Sequence, residues 1–181
     1  MLREIGRMTT VLDEFRNFSR PLSGLTRTEV SLPDLASSIV ALHEGSAARR
    51  AITLLAESRE PVSLACDAQK IKQALVNLIQ NAIEATPRGG RVVVRVWAES
   101  SDCAVVQVTD QGPGIDAALR DKLFTPGFTT KDGGTGIGLV VARSVIEQHG
   151  GTLNVESAPS GGCTATVRLP RKAPENLEVS V

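Results

Sequence analysis

The sequence predicts an α/β chain: a two-layer sandwich with a mixed, mostly antiparallel sheet, preceded by a truncated coiled-coil-like helix. Three observations predict it. Helical and strand periodicities are mixed without the regular alternation of a doubly wound parallel fold. Apolar strand pairs joined by short turns dominate the second half. At the start, Met1, Ile5, Met8, Leu12 and Phe15 recur at alternating spacings of four and three, the seam of a coiled coil.

That seam is in phase at its first residue and has no N-cap, so the helix over 1–21 is expected to be the C-terminal part of a longer dimerisation helix. Pro21 stops it, and 22–32 reads as a linker. The main folded domain is expected over 33–170, with a polar tail over 171–181. Within it, a helix is predicted from Pro33 to Arg50, the proline sitting in its first turn. "ITLLA" and "VSLAC" read as short strands around a turn at 58–61. Asp67 is a good N-cap for a helix running to about Ala85, which "TPRGG" ends. "RVVVRVWAES" and "CAVVQVTD" predict a hairpin turning near 100–102. A short helix near 116–123 follows. Beyond a glycine-rich stretch comes a helix to His149, closed by Gly150 and Gly151. "TLNVES" and "CTATVRLP" predict a last hairpin across "APSGG".

Composition narrows the function. Among 181 residues, Lys+Arg and Asp+Glu are both 20, so nothing calls for nucleic acid or an anionic membrane as partner. Tyr is absent, which disfavours stacking on bases. No apolar stretch is long enough to span a bilayer. Cys66, Cys103 and Cys163 lack the spacing of a zinc site and read as small buried residues of a reducing cytosol.

The helix "AQKIKQALVNLIQNAIEAT" turns Ile71, Leu75, Leu78 and Ala82 inward. Beside this stripe, Asn77, Asn81 and Glu84 share a second face. Asn in mid-helix competes with the backbone for hydrogen bonds. The line is either a solvated edge or a set of hard oxygen ligands suited to Mg²⁺ with phosphate.

"DQGPGIDAALRDKLFTPGFTTKDGGTGIGLVV" crowds glycines around Asp110. Asp110 is either a turn former or a carboxylate that accepts a hydrogen bond from an exocyclic amine such as adenine N6. Gly136 and Gly138 open a helix whose unpaired amides form an anion site. Neither a Rossmann fingerprint nor a P-loop is present. "LFTPGFTTKDG" reads as an ordinary loop or a lid, with Thr130 and Lys131 as donors for a terminal phosphate.

Between residues 77 and 138 these signals occur in a fixed order: Asn-x-x-x-Asn-x-x-Glu, Asp-x-Gly-x-Gly, Phe-x-x-x-Phe and Gly-x-Gly. In that combination the sequence resembles the ATP-binding catalytic domain of sensor histidine kinases, in the superfamily shared with gyrase, Hsp90 and MutL. With "NAIEA" and "FTTKDGGTGIGL" it is most similar to nitrogen-regulator-type kinases. The resemblance covers roughly 30–170 and implies the Bergerat-type ATP-binding fold.

It implies ATP and Mg²⁺ as cofactors, with Asn81 on the metal and Asp110 on the adenine. Gly112 and Gly114 match the first glycine box and Phe124 and Phe128 the phenylalanine box. Gly134, Gly136 and Gly138 match the second glycine box. Glu84, Ile115, Thr129, Thr130, Thr135, Ile137 and Leu139 fall along the same site, and Asn77 and Lys131 are the catalytic candidates. Gyrase-like relatives carry a water-activating glutamate where this chain has Asn77, a departure that fits a kinase.

The resemblance also implies partners: a histidine-bearing dimerisation domain, a response-regulator receiver domain, a homodimeric full-length protein and a cytosolic setting. The family's His-Glu/Asp-x-x-Asn-Pro phosphoacceptor motif is absent. His43 precedes Glu44 but lacks Asn-Pro, and His149 reads as structural. This chain is therefore expected to bind ATP without labelling itself. The competing readings are an ATP-sensing module of the same fold without transfer, and a gyrase-like ATPase.

Overall fold

The computed structural model describes residues 24–131, 134–158 and 161–172. The expected N-terminal helix and nearly all of the tail lie outside them. In chain order the elements are β1 (Thr28–Ser31), α1 (Leu32–Arg49), β2 (Thr53–Ser58), β3 (Ser63–Cys66), α2 (Ala68–Ala85), β4 (Arg91–Ala98) and β5 (Cys103–Thr109). A 3₁₀ turn (Ala117–Lys122), α3 (Gly138–Gln148), β6 (Thr152–Ser157) and β7 (Cys163–Pro170) follow. None of these helices is long and apolar enough to cross a membrane.

The main sheet runs β2-β4-β5-β7-β6. Only β2 and β4 are parallel, with Leu55 opposite Val93; the other three pairings are antiparallel. Parallel neighbours need a long crossover, and here α2 supplies it. The expected linker over 22–32 is corrected, since it contains β1. β2 and β3 do not pair with each other, because β2's partner arrives only after α2. β3 instead pairs antiparallel with β1, a strand lying inside the expected linker. "TEVS" has no apolar alternation, so only its partner strand reveals it.

One layer is this sheet and the other is the three helices. Strand alternation puts Val92, Val94, Val106, Val167 and Leu169 on the helix side, against Leu32, Ile39, Ile71, Leu75, Ile79 and Ile146, all buried. The opposite face carries exposed cross-strand pairs, Arg95–Glu57 at 2.8 Å and Arg168–Glu99 at 3.0 Å. Exposed pairs of this kind contribute little stability.

Local chemistry fixes the helix ends. Ser31 accepts from the Asp34 amide (3.4 Å) to cap α1, and Asp67 from the Lys70 amide (3.1 Å) to cap α2. Pro33 sits in the first turn of α1. His43 is a half-buried helical residue whose Nδ1 lies 2.9 Å from the Ile39 carbonyl.

His149, buried at the end of α3, ties the helix layer together. Its Nε2 accepts from the Asp67 backbone amide at 3.1 Å, so Nδ1 carries the proton and donates to the Val145 carbonyl at 2.7 Å. Burial pushes its pKa below the usual imidazole value. The Val145 hydrogen bond and Asp67 oppose this, while the charges of Arg27 and Lys70 reinforce it. A depressed imidazole pKa means that the unfolded chain takes up the proton first. Stability is therefore full above about pH 6.5 and falls as the pH drops through that value toward the folded-state pKa. Thermal unfolding followed from pH 8 to 5 is expected to show this loss. In His149→Gln the dependence in that window flattens; an unchanged profile would show that His149 does not cause it.

Candidate functional site

The site is built on the polar line of α2. Asn77, Asn81 and Glu84 all border one cavity of about 420 Å³. That volume lies within the range of small-ligand pockets. Asp110, at the end of β5, lies at its other side.

Asp110 is buried, and its Oδ1 accepts from the amides of Gly112 (2.8 Å) and Cys163 (3.0 Å). Its own amide donates to the Cys163 carbonyl at 2.9 Å, so the start of β7 fixes it from both sides. Oδ1 is thus committed to the protein, while Oδ2 accepts nothing from the described residues. Burial raises the Asp110 pKa, opposed by those two amide hydrogen bonds and by the charge of Lys131. Gly112 presses on α2: a Cβ there would lie 2.9 Å from the Ala85 carbonyl oxygen. The Asp-x-Gly spacing follows from these contacts.

Asn77 Nδ2 donates to the Gly138 carbonyl at 3.1 Å, clamping the first turn of α3 onto α2. The residue before α3, Ile137, makes no side-chain capping bond, so the first-turn amides have no cap. Gly138 and Leu139 of that turn line the cavity. The loop leading to it is closed by the Gly127 amide, which donates to the Gly136 carbonyl at 3.2 Å. Gly136 adopts φ +65°, and a Cβ there would fall 2.6 Å from the Phe128 carbonyl oxygen. Only glycine fits that crossing.

Lys131 reaches across the cavity. Its Nζ donates to Asn81 Oδ1 at 2.9 Å and to Glu84 Oε2 at 2.6 Å. Burial alone would raise the Glu84 carboxyl. The Lys131 hydrogen bond and charge outweigh it and hold Glu84 below the ordinary carboxylate range, with help from Gln80 and Arg50.

The structure brings most of the sequence-selected residues to one cavity. Asn77, Asn81, Glu84, Asp110, Gly114, Ile115, Phe128, Thr129, Thr130, Lys131, Gly134, Thr135, Gly136, Gly138 and Leu139 all line the cavity. Three do not. Gly112 stands behind Asp110, and Ile137 packs on the core. Phe124 is not among the lining residues and lies beneath Arg143, whose Cζ is 4.8 Å from the ring centre.

The apolar end of the cavity comes from residues that spacing did not single out: Cys163 and Ala165 of β7, Val155 of β6, and Leu119 and Leu123. Cys163 was readable only through strand register, which pairs Thr109 with Thr164 and so sets Cys163 beside Asp110. Burial, then the Asp110 charge, push its thiol up to about 12, so it stays protonated.

The sequence profile described as "Histidine kinase-, DNA gyrase B-, and HSP90-like ATPase" matches residues 66–173. The chain belongs to this family. It is 37% identical over 171 residues to the sensor histidine kinase ZraS of Klebsiella oxytoca, covering 94% of this chain and 37% of that protein. It is 32% identical over 171 residues to the signal transduction histidine-protein kinase AtoS of Escherichia coli K12, covering 94% of this chain and 28% of the relative. The chain thus spans about a third of the length of these curated relatives. Its fold is similar to the nucleotide-free catalytic domain of histidine kinase ThkA, with TM-score 0.75 and 34% identity over 81% of this chain and 97% of that one. The match spans the chain from which the cavity lining comes, Asn77 to Ala165.

Proposed function

We propose that this chain is the ATP-binding kinase core of a two-component sensor histidine kinase. In this reading it hands the ATP γ-phosphate to a histidine on a dimerisation domain, for relay to a response-regulator aspartate. The observation that carries the reading is the single cavity shared by Asp110, the uncapped first turn of α3 and the Asn81–Glu84 face.

Each end of the cavity fits one end of the nucleotide. Asp110 Oδ2 is an unshared acceptor for an exocyclic amine, and the neighbouring apolar wall takes a flat base. The first-turn amides of α3 hold phosphate oxygens. Asn77 keeps that turn against α2 and offers no proton-accepting charge to a water molecule, which disfavours the gyrase-like ATPase reading.

The site fits a metal as well. Asn81 Oδ1 and Glu84 Oε2 already hold a cation, the Lys131 ammonium, and an amide oxygen plus a carboxylate completed by phosphate is a magnesium-type donor set. Mg²⁺ bound there would supply charge neutralisation for the phosphates. Transfer then depends on positioning: Lys131 and the α3 amides hold the terminal phosphate while an imidazole nitrogen approaches from outside the chain. The full-length protein is read as a homodimer whose dimerisation domain brings the acceptor histidine. The solved ThkA complex with the response regulator TrrA, similar at TM-score 0.82 and 29% identity over 97% of this chain and 50% of that one, supports the relay partner.

The test adds the chain, with γ-labelled ATP, to a histidine-bearing dimerisation domain of a related kinase. Label on that histidine is the expected result. ATP binding without transfer would instead identify a nucleotide-sensing module, and steady phosphate release without an acceptor would identify an ATPase.

A further inference from the structure

The cavity is short of positive charge. Glu84, Asp110 and Asp116 bring three carboxylates to its lining, and Lys131 is the one Lys or Arg among the described lining residues. That lysine is already used. Its ammonium is shared between Glu84 Oε2 and Asn81 Oδ1, and the other Glu84 oxygen accepts from Gln80 Nε2 at 3.1 Å. Arg50 donates to the Glu84 main-chain oxygen at 3.0 Å but does not line the cavity.

A triphosphate entering this space meets a dilemma of charge. If Lys131 turns to the phosphates, Glu84 is left as an unpaired anion beside them. If Lys131 stays on Glu84, the phosphates face the carboxylates without a side-chain cation. A divalent ion on Asn81 and Glu84 resolves both cases, because it satisfies the carboxylate and frees the lysine. The Lys131–Glu84 pair is 36% and 37% exposed on its two side chains, so solvent reaches it and exchange of partners is cheap.

We infer that Glu84 is the specificity-determining residue that makes nucleotide binding depend on a divalent cation: it admits the metal-loaded nucleotide and repels the metal-free form. Asn81 supplies a ligand but no charge, so it cannot discriminate in this way. Lys131 is the resident cation of the empty state and the phosphate donor of the loaded one. The inference rests on the nucleotide reading of the cavity.

Calorimetric titration with ATP, in excess Mg²⁺ and separately in excess EDTA, tests it on the unmodified chain and on Glu84→Gln. Removing one unit charge several ångströms from the phosphates, at an effective dielectric of about 20, strengthens metal-free ATP binding by about tenfold or more. Mg²⁺-loaded ATP gains no such increase, so the ratio between the two affinities shrinks. An unchanged or larger ratio in Glu84→Gln overturns the inference. Lys131→Met is the second arm. It leaves Glu84 without its ammonium, and the ratio is expected to widen because metal-free ATP suffers more; a narrowed or equal ratio also overturns the inference. Two results on the unmodified chain separate the levels of failure. Equal ATP affinity with and without Mg²⁺ removes this role of Glu84 and leaves the nucleotide site standing. No ATP binding under either condition removes both.

Discussion

Asn81→Ala is expected to weaken Mg²⁺-dependent ATP binding by about a hundredfold, or roughly 2.8 kcal/mol at about 1.4 kcal/mol per tenfold. The substitution removes the amide oxygen that now accepts from Lys131 and is proposed to face the metal. The fold should not suffer. Asn81 lies mid-helix, half-buried, and Ala is the better helix former by several tenths of a kcal/mol. Titration in Mg²⁺ and in EDTA separates metal-dependent from metal-independent affinity, and the thermal midpoint monitors folding. Unaltered affinity in both conditions takes Asn81 out of the site.

Asp110→Asn is expected to cost ATP about ten- to a hundredfold in affinity, the scale of one hydrogen bond to a charged group. The carboxamide keeps its oxygen on the amides of Gly112 and Cys163, because the NH₂ group placed there would face two donors. Its NH₂ then occupies the place of Oδ2 and meets the purine amine donor to donor. A keto group at that purine position suits the variant better, so the preference for ATP over GTP narrows. Equal affinity for the two nucleotides in the unmodified chain would show that Asp110 does not read the base.

The parts legible in the sequence share one property: their signal is local. The apolar stripe and polar line of α2 lie within a few turns, so helical spacing alone put Asn77, Asn81 and Glu84 on one face. Gly136 and Gly138 read as the opening of a helix from their place in the chain, and α3 does begin at Gly138. What spacing missed depends on distant partners. β1 has no apolar pattern of its own and exists by pairing with β3. Phe124 lies under Arg143, which comes from α3, and no local spacing encodes that contact. Cys163 reaches Asp110 only because β7 lies next to β5. The contact of Lys131 with Asn81 and Glu84 joins a loop to a helix across the cavity, and no periodicity encodes it.

The bond from the Cys163 amide to Asp110 spans 53 positions of the chain. The other amide on Asp110 Oδ1, from Gly112, lies only two residues away, so the carboxylate is half held long before β7 has been made and slotted in. A nascent chain that stops short of residue 163 therefore holds the Asp110 carboxylate by Gly112 alone, and on the proposed reading nucleotide capture is one of the last properties the growing polypeptide acquires.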